Sequence, residues 1–199
     1  MQQAISVLHL SLDRAEHLGG LYKALQSLTT SAVDSSDILR AQIVLSVSAL
    51  DYYIHEITAL GMVEIYEGKR PPTEAFLKYR VALGSWAIGG TLPTGSSWFA
   101  GDVRDRHGYL SFQQPDKIAD AIRLISSIRL WRDVAARLYI DENDLKSKLR
   151  LIVDRRNKIA HEADIDPSYP GTRWPISEGD VESTILFLRS VCDAIHALV

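Results

Sequence analysis

Cysteine, excess basic charge and long apolar runs are all scarce in this chain of 199 residues. Its single cysteine, Cys192, can form neither an intramolecular disulfide nor a cysteine metal cluster, which favours a reducing compartment. Because 22 Lys and Arg stand against 25 Asp and Glu, the net charge of -3 excludes a broadly basic nucleic-acid coat. No apolar run approaches ~18 residues, and the opening MQQAISVLHLSLDRAEHL lacks the basic start of a signal peptide. We therefore expect a cytoplasmic protein without a membrane segment.

Glycine is unevenly distributed, with six of the 12 glycines falling within residues 84–108. The flanking segments are nearly free of helix breakers, so the pattern predicts helices around one long glycine-rich loop at about 84–114. Hydrophobic residues make up 46% and charged residues 24% of the chain, which is typical of a folded protein with a core. The length suits a single domain over residues 1–199.

Apolar residues recur at three- and four-residue steps on both sides of this segment, as in amphipathic helices. Helices are expected over residues 4–28, 37–66, 73–83, 115–139, 141–161 and 181–199, with Gly19 and Gly20 marking a kink or break in the first. Thr73 and Ser177 are expected N-caps. The polar linker TTSAVDSSD joins the first two helices. The fold class is therefore predicted as all-α, an up-and-down bundle of five to six helices.

Arg156 interrupts the apolar stripe of the helix expected over 141–161. Leu149 and Ile152 lie within about 40° of Arg156 on the helical wheel, so the aliphatic part of the Arg156 side chain starts among core side chains. Three environments are then open to the guanidinium: it extends past the apolar stripe into solvent, forms a structural ion pair, or lies in a cleft that binds an anion. Asn157 and His161 share one edge of the helix, whereas Arg156 and His161 diverge by roughly 140°. Arginine binds phosphate and imidazole exchanges a proton near neutral pH, so the two residues suit phosphodiester chemistry.

The stretch LIVDRRNKIAHE resembles the Arg-x(4–6)-His motif of HEPN-domain ribonucleases, and the overall pattern is closest to the RiboL-PSP type. Arg156, Asn157 and His161 match the form Arg-Asn followed by three residues and His, while Arg155 gives a second register. The earlier helix, IVLSVSALDYYIHEI, is similar to the second HEPN helix, where an acidic or polar residue often faces the motif. Asp51 is the matching position.

The resemblance implies a metal-independent endoribonuclease without a cofactor, acting as a homodimer whose two motifs face one cleft. The RNA 2′-OH would attack the adjacent phosphorus, with His161 as general base or acid and Arg156 stabilising the phosphorane oxygens. Asn157 would orient His161 or bind phosphate, and Asp51 would pair with Arg156. The resemblance also points to a toxin or antiviral effector with an antitoxin or defence-system partner, although Ala163 replaces the Tyr of toxins regulated by nucleotidylation. The alternative is a non-catalytic HEPN-like module that binds RNA, a nucleotide or a protein partner.

Basic residues are concentrated in residues 145–161, where six face a single acid, Asp154, for a local excess of +5. Among them Arg150, Arg155 and Lys158 are expected contacts to RNA phosphates, the alternative being ordinary solvated helix faces. The six histidines form neither a His-x(3)-His pair nor HExxH, so no metal site is expected. Two aromatic groups suit either base stacking or packing against protein: Trp86, Trp98 and Phe99 in the glycine-rich segment, and Tyr52 and Tyr53 beside Asp51.

Overall fold

The structure is a computed structural model that describes residues 1–30, 33–91, 95–169 and 171–199, without the side chains of residues 88, 90 and 91. Part of the polar linker and part of the glycine-rich segment therefore lie outside the described residues. Within these ranges the chain forms nine helices: α1 (Gln2–Leu28), α2 (Ser36–Tyr66), α3 (Glu74–Leu77), α4 (Leu83–Thr91), α5 (Ser97–His107), α6 (Pro115–Arg123), α7 (Leu130–Leu138), α8 (Glu142–His161) and α9 (Glu178–His196). The same ranges contain no strand, only an isolated antiparallel bridge between Ile165 and Arg173.

The four long helices, α1, α2, α8 and α9, run alternately up and down. Cross-helix contacts set these directions. Gln42 donates to the Ala15 carbonyl at 2.9 Å, and Gln26 donates to Ser35 at 2.8 Å, so α1 and α2 are antiparallel. His9 meets Asp193 at 2.7 Å while Lys23 meets Glu182 at 3.3 Å, so α9 is antiparallel to α1. The prediction of an all-α up-and-down bundle is confirmed.

Helix α2 is the central element of the bundle and packs against α1, α5, α6, α8 and α9. Among the residues that the structure describes, it is the one helix with the length and mean hydropathy, 1.2, of a membrane-spanning segment. Of that apolar window, 56% is buried within the protein. Packing in the bundle core accounts for the apolar character of α2.

Helix α1 continues without interruption through Gly19 and Gly20, so the expected kink or break is wrong. A Cβ at Gly19 would lie 3.2 Å from Nε2 of Gln42, the side chain that joins α2 to α1. Packing against α2 and α9 stabilises the helix despite the cost of about 1 kcal/mol for each internal glycine.

The glycine-rich segment contains α4 and α5 rather than the long loop expected at 84–114. One of its glycines permits close packing between these two helices. A Cβ at Gly89 would overlap the ring of Trp98, so only glycine lets α4 approach α5 at that point. Phe99 and Val103 of α5 are buried in the core, which explains why this segment folds back on the bundle.

The helices expected over residues 73–83 and 115–139 differ most from the structure. Thr73 is an N-cap as predicted, accepting from the Phe76 amide at 3.0 Å, but α3 ends at Leu77 rather than near residue 83. The chain turns away because Asp102 of α5 accepts from the Ala82 amide at 3.0 Å. The helix expected over 115–139 is divided into α6 and α7.

The division between α6 and α7 has its own side-chain contacts. Asp133 accepts from the Arg129 amide at 3.0 Å at the start of α7, and the Trp131 indole donates to the Pro115 carbonyl at 2.9 Å. These bonds hold the start of α7 against the start of α6, which a single straight helix would not allow. Ser177 caps α9 as predicted, accepting from the Asp180 amide at 3.2 Å, although α9 begins at Glu178 instead of Val181.

Candidate active site

The Arg-x(4)-His motif lies in the last turns of α8. Asp141 begins this helix, close to the predicted start, by accepting from the amides of Asn143 and Asp144, at 2.7 and 3.2 Å. The buried stripe of α8 consists of Leu145, Leu149, Ile152 and Val153. Ala160, in the last turn of α8, is exposed, because the helix extends beyond the core at its C-terminal end.

Two neutral amide oxygens hold the half-buried guanidinium of Arg156. Its Nη1 donates to Asn157 Oδ1 at 3.0 Å, and its Nη2 donates to Gln113 Oε1 in a very short hydrogen bond. No carboxylate of the described residues lies within 4.0 Å of Arg156. The structural ion pair considered from the sequence is therefore wrong, and the guanidinium keeps an uncompensated positive charge.

Asp51 does not contact Arg156 directly, so the expected pair between them is wrong. Its Oδ1 accepts from the Phe112 amide at 2.6 Å, and its Oδ2 accepts from Gln113 Nε2 at 2.8 Å. The side chain of Gln113 stands between the two predicted site residues and contacts both. Gln113 lies outside the helices, in the segment between α5 and α6, where helical periodicity gives no signal for it.

His161 is exposed at the end of α8 and has no hydrogen bond or ion pair among the described residues. It lies five residues beyond Arg156, on a different side of the helix. The structure thus brings Arg156 and Asn157 together, connects them to Asp51 through Gln113, and leaves His161 apart in the single chain.

Arg155 has different partners from Arg156. Its Nη2 donates to Asp164 Oδ2 at 2.9 Å, to the Trp174 carbonyl at 3.2 Å and to the Pro175 carbonyl at 3.1 Å. Burial lowers the pKa of this guanidinium and the charge of Asp164 opposes that shift. The charge of Arg155 is therefore paired with Asp164 inside the protein. This pairing favours Arg156, with four residues before His161, as the register whose charge is left for a ligand.

Asp164 anchors the chain just after His161. It is 1% exposed and adopts a left-handed backbone conformation with φ 59°, directly after Ala163 with φ 51°. The same Oδ2 that Arg155 contacts also accepts from Arg40 Nε of α2 at 2.7 Å, and the Trp174 amide donates to the Asp164 carbonyl at 2.9 Å. This network determines where α8 ends and hence where His161 is presented.

The basic residues of α8 do not form a free positive surface. Lys146 pairs with Glu142 at 2.9 Å and Arg150 approaches Asp116 at 3.8 Å. The ammonium groups of Lys148 and Lys158 lie over the rings of Phe187 and Trp174, at 4.6 and 4.9 Å from the ring centroids. The pair of Arg150 with Asp116 is exposed, and an exposed ion pair of this kind contributes little stability.

Most of the aromatic residues considered for base stacking pack inside the protein. Phe99 and Tyr53 are buried in the core, and Trp98 packs edge-on against Phe99 with ring centroids 5.7 Å apart. Of the five, Trp86 and Tyr52 are exposed, by 57% and 49%. The described residues contain no group of three or more His, Cys, Asp or Glu side chains placed to hold a metal ion.

Two histidines pack around Asp51 and the neighbouring Phe112. His55 is 3.7 Å from the Asp51 carboxylate and its ring lies 4.4 Å from that of Phe112. His107 is buried and packs edge-on against Phe112, with the ring centroids 5.4 Å apart. Burial, with a smaller contribution from His55, lowers the pKa of His107 to about 4, so its ring is neutral at physiological pH. The sequence gave no signal for the burial of His107.

An all-α bundle with an Arg-x(4)-His motif at the end of its penultimate long helix has the architecture of a HEPN domain. The sequence matches the family RiboL-PSP-HEPN over residues 10–199. The chain therefore belongs to the RiboL-PSP-HEPN family, which confirms the resemblance and indicates an RNase-like or RNA-related module. No curated protein and no solved structure matches the chain.

Proposed function

We propose that this protein is a metal-independent endoribonuclease whose site is formed by Arg156, Asn157 and His161. The observation that carries the proposal is the environment of Arg156. A guanidinium has five N–H donors, and the amides of Asn157 and Gln113 accept from two of them. Three donors and a full positive charge remain for the oxygens of a phosphodiester. Such an arrangement suits an anion in a cleft rather than a structural role.

The chemistry follows from these groups. The 2′-oxygen of RNA forms a bond to the adjacent phosphorus, and the bond from phosphorus to the 5′-oxygen breaks. The products are a 2′,3′-cyclic phosphate and a 5′-hydroxyl. One imidazole takes the proton from the 2′-OH and another gives a proton to the leaving 5′-oxygen, while Arg156 stabilises the charge on the phosphorane oxygens.

A second copy of the chain completes the site in this proposal. One chain leaves His161 without contact to Arg156, and the reaction uses two proton-transfer groups. Helix α2 presents an exposed stripe of Ala41, Leu45 and Tyr52 beside α8. Next to it lies a shallow depression of about 490 Å³, with Ile159 of α8 among its lining residues. Pairing these faces about a two-fold axis would bring two motifs to one cleft.

The biological setting forms part of the same proposal. The family match and the single cysteine, which is fully buried, support an RNA-directed enzyme of the cytoplasm. We place it among toxins or antiviral effectors, held in check by an antitoxin or another defence-system protein. Ala163 stands where a regulatory Tyr would be modified, so that partner would act by binding.

The test is RNA cleavage by purified protein in EDTA, comparing the wild type with Arg156→Ala and His161→Ala. Matched controls are Arg14→Ala and His17→Ala, which remove an exposed arginine and an exposed histidine of α1. We expect the wild type and both controls to yield 2′,3′-cyclic phosphate ends, and the two site variants to lose about 100-fold or more in rate.

Two outcomes would contradict the proposal. Equal RNA decay in all five samples would show a contaminating nuclease. Absence of decay with folded wild-type protein would instead support a non-catalytic module that binds RNA, a nucleotide or a protein partner.

A further inference from the structure

Gln113 is the one side chain that contacts both Asp51 and Arg156 among the residues that the structure describes. It is 6% exposed, and its position is secured by the neighbouring Phe112 amide, which donates to Asp51 Oδ1 at 2.6 Å. Gln113 Nε2 donates to Asp51 Oδ2 at 2.8 Å, and its Oε1 accepts from Arg156 Nη2. These bonds form a continuous path from a carboxylate in α2 to the guanidinium in α8.

The orientation of the Gln113 amide follows from the chemistry of its two partners. An ionised carboxylate only accepts hydrogen bonds, so the NH₂ group must face Asp51. The amide oxygen must then face Arg156, which only donates. Asp51 thereby determines which end of the amide the guanidinium meets, and the charge of Asp51 strengthens the acceptor by polarising the amide.

We propose that Gln113 is a positioning residue that orients Arg156 for the phosphate under the control of Asp51. This inference rests on the proposed ribonuclease function. A direct pair between Asp51 and Arg156 would orient the guanidinium but would also neutralise much of its charge. Inserting a neutral amide keeps the carboxylate one residue away, so Arg156 is held in place and remains available to an anion.

The first experiment removes each part of this path. Gln113→Leu removes both hydrogen bonds. Asp51→Asn is isosteric, and its Oδ1 can still accept from the Phe112 amide. The NH₂ group of the introduced asparagine then faces Gln113. The Gln113 amide must turn its oxygen toward that NH₂ group, which points its own NH₂ group at Arg156. Gln114→Leu is the matched control, because among the described residues the side chain of Gln114 hydrogen-bonds only to the exposed Asp154, at 3.3 Å. Thermal melts establish that each variant is folded.

We expect Gln113→Leu and Asp51→Asn each to lower kcat by about 10- to 100-fold with a smaller change in KM, since misplacing a catalytic group affects the transition state most. The double variant should lose no more than the worse single variant, because both changes interrupt one path. In an Arg156→Ala background, Gln113→Leu should have no further effect. Gln114→Leu should behave as the wild type.

A second experiment moves the charge without changing the shape. In Asp51→Asn combined with Gln113→Glu, the carboxylate introduced at position 113 can accept from both Arg156 and the amide introduced at position 51. Orientation is then restored while the guanidinium is neutralised. We expect activity to stay low, and affinity for a 2′-O-methyl RNA to fall with a weaker dependence on salt than in the wild type. Wild-type activity in this swap would overturn the role of charge separation.

Nitrogen-15 NMR of the arginine side chains tests the positioning independently of cleavage. We expect resolved, slowly rotating Nη signals of Arg156 in the wild type, averaged signals in Gln113→Leu and Asp51→Asn, and resolved signals again in the charge swap. Unchanged Arg156 signals and unchanged kcat in folded Gln113→Leu would overturn the inference. If the wild type does not cleave RNA, the proposed function fails, whereas the NMR comparison still decides whether Gln113 orients Arg156.

Discussion

Arg155 donates to the carboxylate of Asp164 at 2.9 Å, while Arg156, the next residue, donates to no carboxylate among the described residues. Two adjacent arginines therefore have opposite environments. Arg155 points into the protein and joins the end of α8 to the segment that follows it. Arg156 points to the edge of the helix, between the amides of Asn157 and Gln113.

Replacing each arginine by alanine should separate stability from activity. We expect Arg155→Ala to lower the free energy of unfolding by about 1–3 kcal/mol, because it removes hydrogen bonds to a buried carboxylate. Arg156→Ala should change stability less and abolish cleavage. Urea denaturation and RNA cleavage per folded molecule measure the two effects. Folded Arg155→Ala that cleaves as poorly as Arg156→Ala would contradict this division.

Asp164→Asn should be strongly destabilising. The carboxylate is 1% exposed and accepts from both Arg40 and Arg155, so its neutralisation removes the hydrogen-bonded counter-charge of two guanidinium groups. We expect a loss of about 3–5 kcal/mol in urea denaturation. Asp154→Asn, an exposed change on α8, serves as the control and should alter stability by less than about 0.5 kcal/mol. A similar small loss in both variants would show that the buried pair is unimportant.

Acid should destabilise the protein through His107. Its pKa is about 4 in the folded protein against 6.5 for an ordinary histidine, so between these values the unfolded chain binds a proton that the folded chain excludes. The free energy of unfolding therefore falls as pH drops through this window, by up to about 3 kcal/mol at about 1.4 kcal/mol per pKa unit. Urea denaturation at pH 5 and 7 should show a smaller difference in His107→Phe than in wild type. An equal difference in the two would exclude His107 as the cause.

Gly61 is required where α2 meets the end of α6. A Cβ at this position would lie 2.7 Å from Cγ2 and 2.9 Å from Cβ of Ile125. We expect Gly61→Ala to cost about 1–3 kcal/mol from overpacking, measured by thermal or urea unfolding. Gly61→Ala combined with Ile125→Ala should lose less than the sum of the two single losses, since the second change removes the closest atom. Gly20→Ala, with open space around it, is the control and should be neutral or stabilising.

The proposed dimer can be tested on α2. Leu45 is exposed beside α8, and Leu45→Glu would place two like charges at a two-fold interface. We expect the wild type to scatter light as a dimer, and Leu45→Glu to be a folded monomer without RNase activity. Mixing Arg156→Ala with His161→Ala should leave cleavage low, because each mixed dimer keeps only one of the two imidazoles that the proposed reaction uses. A monomeric wild type with full activity would contradict the shared cleft.

The local features of the sequence predicted the long helices well. Apolar periodicity located α8 and α9, and the Ser177 cap located the start of α9, because these signals depend on neighbouring residues alone. The segment of residues 84–108 shows the opposite. Its glycines predict turns, whereas Gly89 permits the close approach of Trp98, a contact between two helices that no local pattern reveals.

The candidate site divides in the same way. The motif residues lie within two turns of one helix: Arg156, Asn157 and His161. The sequence alone therefore shows their spacing and indicates the family. Gln113 lies 43 residues before Arg156, in a segment without periodicity, and its contact exists only because α2, α8 and the end of α5 pack around it. Likewise, only tertiary packing distinguishes the two adjacent arginines. Arg155 pairs with the buried Asp164, whereas Arg156 donates to no carboxylate among the described residues.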